Sequence, residues 1–241
     1  MAIFSLADQL LSLIYPRFCL ICGLKLERHY KLSVCRNCRR NLRVTKKPYC
    51  FKCGAVLETI SQIRKTGCNK CYRKKFFFDQ VISAFQYKGI VKQCIHLFKY
   101  NRKIRLRDLF SEPMRDFLLD NFSANRFDIV TAVPLHKSKL RKRGFNQSQL
   151  IAENISTNLQ IDSSFDNLVR TKKTVPQFKL KAGTRKKNLE NVFFCKKPDI
   201  FKDKNILLID DILTTGSTLN ECSRTLKQAG AKSITCLTIA R

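Results

Sequence analysis

The stretch NILLIDDILTTGST, residues 205–218, decides how the chain is read. Its apolar run over 205–209 is a candidate buried strand, and it ends on two adjacent carboxylates, Asp210 and Asp211. Thr214, Thr215, Gly216, Ser217 and Thr218 then form a short loop leading into a helical pattern. In open α/β sheets, ligands bind outside the carboxyl ends of the strands. Backbone N–H groups and hydroxyls gathered at a helix N-terminus cradle phosphate. Two carboxylates beside that cradle can accept hydrogen bonds from vicinal hydroxyls, so the pair of grips describes a ribose 5-phosphate. Helix capping alone would call for one of these residues, not two acids and five cradle positions.

Outward from this stretch, apolar strand candidates fall at 80–86, 128–133, 191–195 and 234–239. Helical patterns fall near 90–100, 106–122, 146–159 and 217–229. Strands separated by helices of that length predict an α/β domain with a mostly parallel sheet covered on both faces. Spacing excludes two other nucleotide folds. The glycines, at 23, 54, 67, 89, 144, 183, 216 and 230, contain no G-x-G-x-x-G, and no G-x-x-x-x-G-K-[ST] occurs. The strand ending in Asp210 and Asp211 is therefore no Walker-B element.

The first third of the chain has a different character. Four C-x-x-C pairs occur: Cys19/Cys22, Cys35/Cys38, Cys50/Cys53 and Cys68/Cys71. Each short loop lets two sulfurs converge on one tetrahedral metal, and two loops complete a Cys₄ zinc site. The first pair of each half is followed directly by glycine, Gly23 or Gly54, which relieves a tight turn. This repeat favours in-order sites, 19/22/35/38 and 50/53/68/71, over interleaved pairing. A closed Cys₄ shell has no open position for water, so both would be structural zinc. The expected division is a small domain at 1–75 and a larger one at 76–241. Cys94, Cys195, Cys222 and Cys236 sit in apolar runs and read as buried thiols. Ile3, Leu6, Leu10, Leu13 and Ile14 have helical spacing up to Pro16, which predicts a helix that docks on the protein.

The net charge of +29 over 241 residues points to a polyanionic partner, most simply nucleic acid. It is unevenly spread: residues 1–75 carry +14, 76–204 carry +14, and 205–241 only +1. Two filled thiolate–zinc sites would lower the total to about +25. The near-neutral segment is the one that holds the carboxylate pair. No apolar run is long enough for a membrane span, and a cytoplasmic setting is expected, where thiols stay reduced.

The motif at 205–218 resembles the phosphoribosyl-pyrophosphate motif of type I phosphoribosyltransferases. More closely, the chain resembles the ComF family of competence proteins. That resemblance rests on the Cys-pair region followed by FQYKGIVKQCIHLFKY (85–100) and VPLHKSKLRKRGFNQSQL (133–150). It continues through Arg170, Thr174, Gln177, Leu180, Arg185 and Asn188 to the 205–218 stretch. It implies a phosphoribosyltransferase type I domain, with a small N-terminal Cys₄ double zinc ribbon, that serves uptake of single-stranded DNA. Asp210 and Asp211 would then hold the ribose hydroxyls, and Thr214, Thr215, Gly216, Ser217 and Thr218 the 5-phosphate. Pro134–His136 would lie where relatives bind pyrophosphate, and 170–188 would be their closing loop.

Mg²⁺ would be carried mainly by pyrophosphate and ribose oxygens, since it keeps waters and needs few protein ligands. Loss of pyrophosphate from C1 develops positive charge on the ribose ring. The carboxylates favour that charge, and Arg143, Arg170, Lys172, Lys173 and Arg185 are candidates to stabilise the leaving group. A histidine in the loop, His136, reads as solvated rather than as a general base. With no acceptor-activating base evident, turnover stays open.

Expected partners are phosphoribosyl pyrophosphate, sequence-tolerant single-stranded DNA and a DNA-uptake motor protein, with the chain in the cytoplasm beside the membrane uptake machinery. The basic runs 64–78 and 137–147 are candidates to track DNA phosphates; Phe76–Phe78 either stack bases or pack between domains. The alternative function is a salvage phosphoribosyltransferase that transfers ribose 5-phosphate to a base or other acceptor.

Overall fold

A computed structural model describes residues 16–27, 30, 32–64, 67–171 and 192–241. The expected helix over 3–14 and nearly all of the 170–188 stretch, Arg185, Lys172 and Lys173 included, lie outside the described residues. In the N-terminal part a short helix, α1 (Arg36–Arg40), carries the second Cys pair, and a two-residue antiparallel pair, β1 (Ile63–Arg64) and β2 (Gly67–Cys68), leads to the fourth.

Beyond the ribbons, β3 (Gln80–Phe85), β4 (Ile129–Ala132), β7 (Asn205–Ile212) and β8 (Ser233–Ala240) form one sheet in the order β3-β8-β7-β4, parallel throughout. Between β3 and β4 run α2 (Gly89–Tyr100) and α3 (Leu106–Leu119). After β4 come α4 (Lys137–Arg143) and α5 (Gln147–Leu159), and α6 (Ser217–Gln228) joins β7 to β8. Alternate strand residues feed two cores, as the two-residue period of a strand requires. Ile82, Val130, Leu207, Ile209 and Leu237 pack with α2, α3 and α5. Val81, Ile129, Ile206, Leu208 and Cys236 pack with α6. Each fully buried leucine or phenylalanine contributes about 1.5–3 kcal/mol, so β7 and β8, apolar on both faces, anchor the domain. The thiols of Cys94, Cys195, Cys222 and Cys236 are buried in these cores, as expected.

Both edges of the sheet are covered. On the β3 side the ribbon region supplies the missing partners: Thr45 N–H donates to Ala84 O (2.8 Å), Gln86 N–H to Arg43 O (2.9 Å) and Val81 N–H to Phe51 O (2.7 Å). On the β4 side, Val130 N–H donates to Asp162 O (2.8 Å) and Ser164 N–H to Val130 O (3.0 Å). An edge left open would template association with other chains.

Three elements differ from the sequence expectation. The strand at 191–195 does not join the parallel sheet: β6 (Phe193–Cys195) pairs antiparallel with β5 (Leu168–Arg170). Its pattern is buried, exposed, buried, with Phe194 57% exposed, which suits a half-buried hairpin rather than a central strand. Strand β7 runs on to Ile212, because β8 stays paired with it as far as Ile212 opposite Ala240. The acidic pair therefore lies inside the strand. Finally, the basic run at 137–143, where no helical pattern is expected, is the helix α4; His136 caps it, its Nδ1 accepting the Ser138 N–H at 3.2 Å.

Candidate ligand site and metal centres

The two Cys₄ sets assemble in order, Cys19/Cys22/Cys35/Cys38 and Cys50/Cys53/Cys68/Cys71, with the four sulfurs of each set within 4.8 Å of one another. A tetrahedron with Zn–S of about 2.3 Å has sulfur–sulfur edges of about 3.8 Å. The sulfur pairs Cys22–Cys35, Cys50–Cys71, Cys53–Cys68 and Cys68–Cys71 stand 3.7, 3.6, 3.7 and 3.8 Å apart. The donor set thus fits structural zinc in both chemistry and size. Gly23 and Gly54 have φ of +71° and +69°, and their N–H groups return to Cys19 O (3.0 Å) and Cys50 O (2.6 Å). The repeat seen in sequence is a repeat of knuckle turns that need a residue without a Cβ.

Backbone N–H groups also prepare the sulfurs as ligands. Cys35 N–H points at Cys19 Sγ (3.3 Å) and Cys68 N–H at Cys50 Sγ (3.3 Å). Burial pushes the Cys19 thiol up, but the N–H groups of Cys22, Cys35 and Ile21 outweigh it and bring it down to about 6. A thiol so placed ionises readily, and the thiolate is the form that binds metal.

At the carboxyl edge of β7 the two acids engage different helices. Asp211 Oδ1 receives Lys99 Nζ of α2 at 2.8 Å, and both side chains are mostly buried. Asp210 Oδ1 accepts the Ser148 hydroxyl of α5 (3.0 Å) and the Asp211 N–H (2.8 Å). Burial, then the neighbouring Asp211 charge, push the Asp210 carboxyl up to about 7. The Asp210 residue as a whole is half-buried.

Cations gather on the β4 side of this pair. Lys139 and Arg143 stand four residues apart on α4 and share one face of it. The Lys139 ammonium is held below its ordinary value first by burial, then by the charges of Arg170, Arg143 and Lys99. Arg170 at the end of β5 is lowered by burial and opposed by the Asp210 charge. Aromatic rings and amides steady the guanidinium groups: Arg143 lies 5.3 Å from the Tyr100 ring and donates to Gln147 Oε1 (2.9 Å), and Arg170 lies 5.5 Å from Phe193. Lys137, Arg141 and Lys142 of α4 are exposed, so the basic run divides between the site and the surface.

The loop after β7 completes the arrangement. Leu213 N–H bonds Ala240 O (2.8 Å), Thr215 Oγ1 and Ser217 Oγ lie 2.8 Å apart, and Gly216 turns with φ +79° immediately before α6. Thr214 and Thr215 are exposed. Phe76 and Phe78 stack on each other (4.7 Å between ring centres) against Gly216, with Phe78 buried, so this pair packs between the ribbon and the sheet. Of the residues expected at the site, Asp210, Asp211, Arg143 and Arg170 are brought together beside the loop of Thr214–Thr218. Lys99, Lys139 and Ser148 belong to the same cluster and carry no signal in the sequence beyond their place in the 85–100 and 133–150 runs.

A carboxylate pair, a hydroxyl-rich loop and a cluster of cations thus stand together at one end of a parallel sheet. Residues 118–241 match the family model of the phosphoribosyl transferase domain, and 10–73 match that of the double zinc ribbon domain. The chain belongs to the phosphoribosyl transferase domain family, in the ComF form that couples this domain to a double zinc ribbon. Among its relatives, "DNA utilization protein YhgH" of Escherichia coli K12 is 29% identical over 225 residues, 91% of this chain and 94% of that one. "Competence protein F" of Haemophilus influenzae is 28% identical over 215 residues, 88% and 91% of the two chains. "Competence protein ComFC" of Bacillus subtilis is 26% identical over 216 residues, 87% and 84%.

Proposed function

We propose that this chain is a ComF-type protein of natural transformation, binding phosphoribosyl pyrophosphate and single-stranded DNA during the cytosolic steps of DNA uptake. Relatives named as competence and DNA-utilization proteins over most of their length support the biological role. One observation carries the ligand: a carboxylate pair between a hydroxyl-rich loop and a cluster of four cations, Lys99, Lys139, Arg143 and Arg170. In this reading Asp210 and Asp211 take the ribose hydroxyls and the Thr214–Thr218 loop takes the 5-phosphate. The four cations would face the pyrophosphate, and Arg185, outside the described residues, is a further candidate for that role. Mg²⁺ would ride on the pyrophosphate and ribose oxygens and neutralise the leaving group.

Lys99 pairs with Asp211, so ribose binding at Asp211 would exchange that ion pair for ribose hydroxyls and turn the lysine toward phosphate oxygens. His136 is engaged as a helix cap and His96 stacks on Tyr100 (4.8 Å), which favours binding over acceptor activation by either imidazole. Single-stranded DNA would be held through the exposed lysines and arginines of the ribbon and of α4. No helix among the described residues is long and apolar enough to cross a membrane. Calorimetric titration of Mg²⁺ with phosphoribosyl pyrophosphate tests the ligand reading: Asp210→Asn with Asp211→Asn should abolish the binding heat while zinc content and the unfolding transition persist. Undiminished heat would refute the ribose role.

A further inference from the structure

Between the second ribbon and the loop after β7 lies a cavity of about 230 Å³. Thr214, Thr215 and Gly216 form one wall, and Lys70 and Lys74, which flank Cys71 in the ribbon, line the other. Arg241, directly after β8, reaches in beside Gly54. Because β8 and β4 flank β7 on opposite sides, this cavity lies on the far side of the loop from Lys139 and Arg143. It is therefore separate from the cations assigned above to pyrophosphate.

No carboxylate side chain lines the cavity among the described residues. A filled Cys₄ zinc carries a net charge of about −2, and Arg241 beside it offsets part of that charge. Lys70 and Lys74 add two positive charges, against apolar walls of Phe76, Phe78 and Leu213 that strengthen any charge interaction. The volume decides the ligand's size. It falls below the 300 Å³ or so at which pockets for drug-sized ligands begin, yet it has room for a phosphate group.

We propose that the second ribbon is one wall of the phosphate subsite: Lys70 and Lys74 grip, from the ribbon side, a sugar phosphate whose phosphate sits on Thr214–Gly216. This inference rests on the reading of that loop as a phosphate cradle. It makes the ribbon part of the ligand site rather than a separate module. The loop and ribbon are held in register to do so: Gly54 comes so close to Leu213 that a Cβ there would lie 3.0 Å from it, and Phe77 N–H donates to Asn220 Oδ1 of α6 at 2.7 Å.

The test titrates the full-length, zinc-loaded protein with two probes, inorganic phosphate and Mg²⁺–phosphoribosyl pyrophosphate. Lys70→Ala with Lys74→Ala should weaken both about tenfold, and Lys70→Arg with Lys74→Arg should restore both. Lys46→Ala with Lys47→Ala, a second exposed lysine pair, should change neither. Asp210→Asn with Asp211→Asn should lose the pyrophosphate compound yet keep inorganic phosphate. Unchanged binding in the Lys70/Lys74 variant, or an equal loss in the Lys46/Lys47 control, overturns the proposal, as does a wild type that takes up neither probe. If the wild type binds inorganic phosphate through Lys70 and Lys74 but ignores phosphoribosyl pyrophosphate, the subsite stands and the ribose reading falls. Zinc content of two per chain in each variant verifies that the ribbons are intact.

Discussion

Replacing Asp210 by asparagine should stabilise the protein, and by an amount that depends on pH. The Asp210 carboxyl titrates near 7 in the folded chain against 3.8 when free, because burial and the Asp211 charge disfavour its ionised form. An acid whose folded value is raised binds its proton in the native state while the unfolded state has lost it. Stability therefore falls as pH rises from about 4 to 7, and the full penalty remains above 7. At 1.36 kcal/mol per unit the ceiling is about 4 kcal/mol, lowered by whatever the half-buried site relaxes around the charge.

Asparagine removes the charge and keeps Oδ1, which accepts from Ser148 Oγ and from the Asp211 N–H. Urea unfolding at pH 4.5, 6 and 7.5 is the assay. The Asp210→Asn protein should match wild type within about 1 kcal/mol at pH 4.5 and exceed it by roughly 2–4 kcal/mol at pH 7.5. A difference that does not vary with pH, or a wild type more stable than the variant at pH 7.5, would refute the reasoning.

Purified protein should carry two zinc ions, and Cys50→Ser with Cys53→Ser should leave one, measured by atomic absorption. Phe110 is fully buried, with Phe85 and Phe98 rings each 6.1 Å away; Phe110→Ala should lower the unfolding free energy by about 3–5 kcal/mol in urea. Affinity for a single-stranded oligonucleotide should fall steeply and linearly on a log–log plot against salt between 50 and 200 mM, at a slope of about −0.7 per neutralised phosphate. A flat plot, read by fluorescence anisotropy, would mean that the basic surface does not hold the DNA.

Features encoded locally were legible in the sequence. The C-x-x-C pairs and their following glycines lie within a few residues of each other, so chain geometry alone brings each pair of sulfurs together. The strand, acids, loop and helix of 205–218 are likewise contiguous. What was not legible depends on distant partners. Lys99 meets Asp211 across more than a hundred residues, and nothing distinguishes it beforehand among 47 lysines and arginines. Lys139 and Arg143 reach the site because 137–143 is helical, whereas the basic run there shows no apolar period from which a helix could be read. Strand β6 was legible as an apolar run, but its partner β5 is three residues long and has no pattern of its own, so their antiparallel pairing was not. The extension of β7 to Ile212 is set by β8, the last strand of the chain.

The hydrogen bonds from Arg43–Thr45 and Phe51 onto β3 bear on the fate of metal-depleted protein. Those backbone groups are positioned by the turns that the cysteines anchor, and small domains of this kind depend on their metal to fold. Stripped of zinc, the chain would keep its large apolar sheet but bare one side of it, a row of unsatisfied N–H and C=O groups flanked by Val81, Ile82 and Phe85. Chelation would then produce self-association rather than a tidy, soluble half-protein. In a cell short of zinc, newly made copies would be diverted to aggregation or proteolysis, so metal supply would govern how much of this protein accumulates.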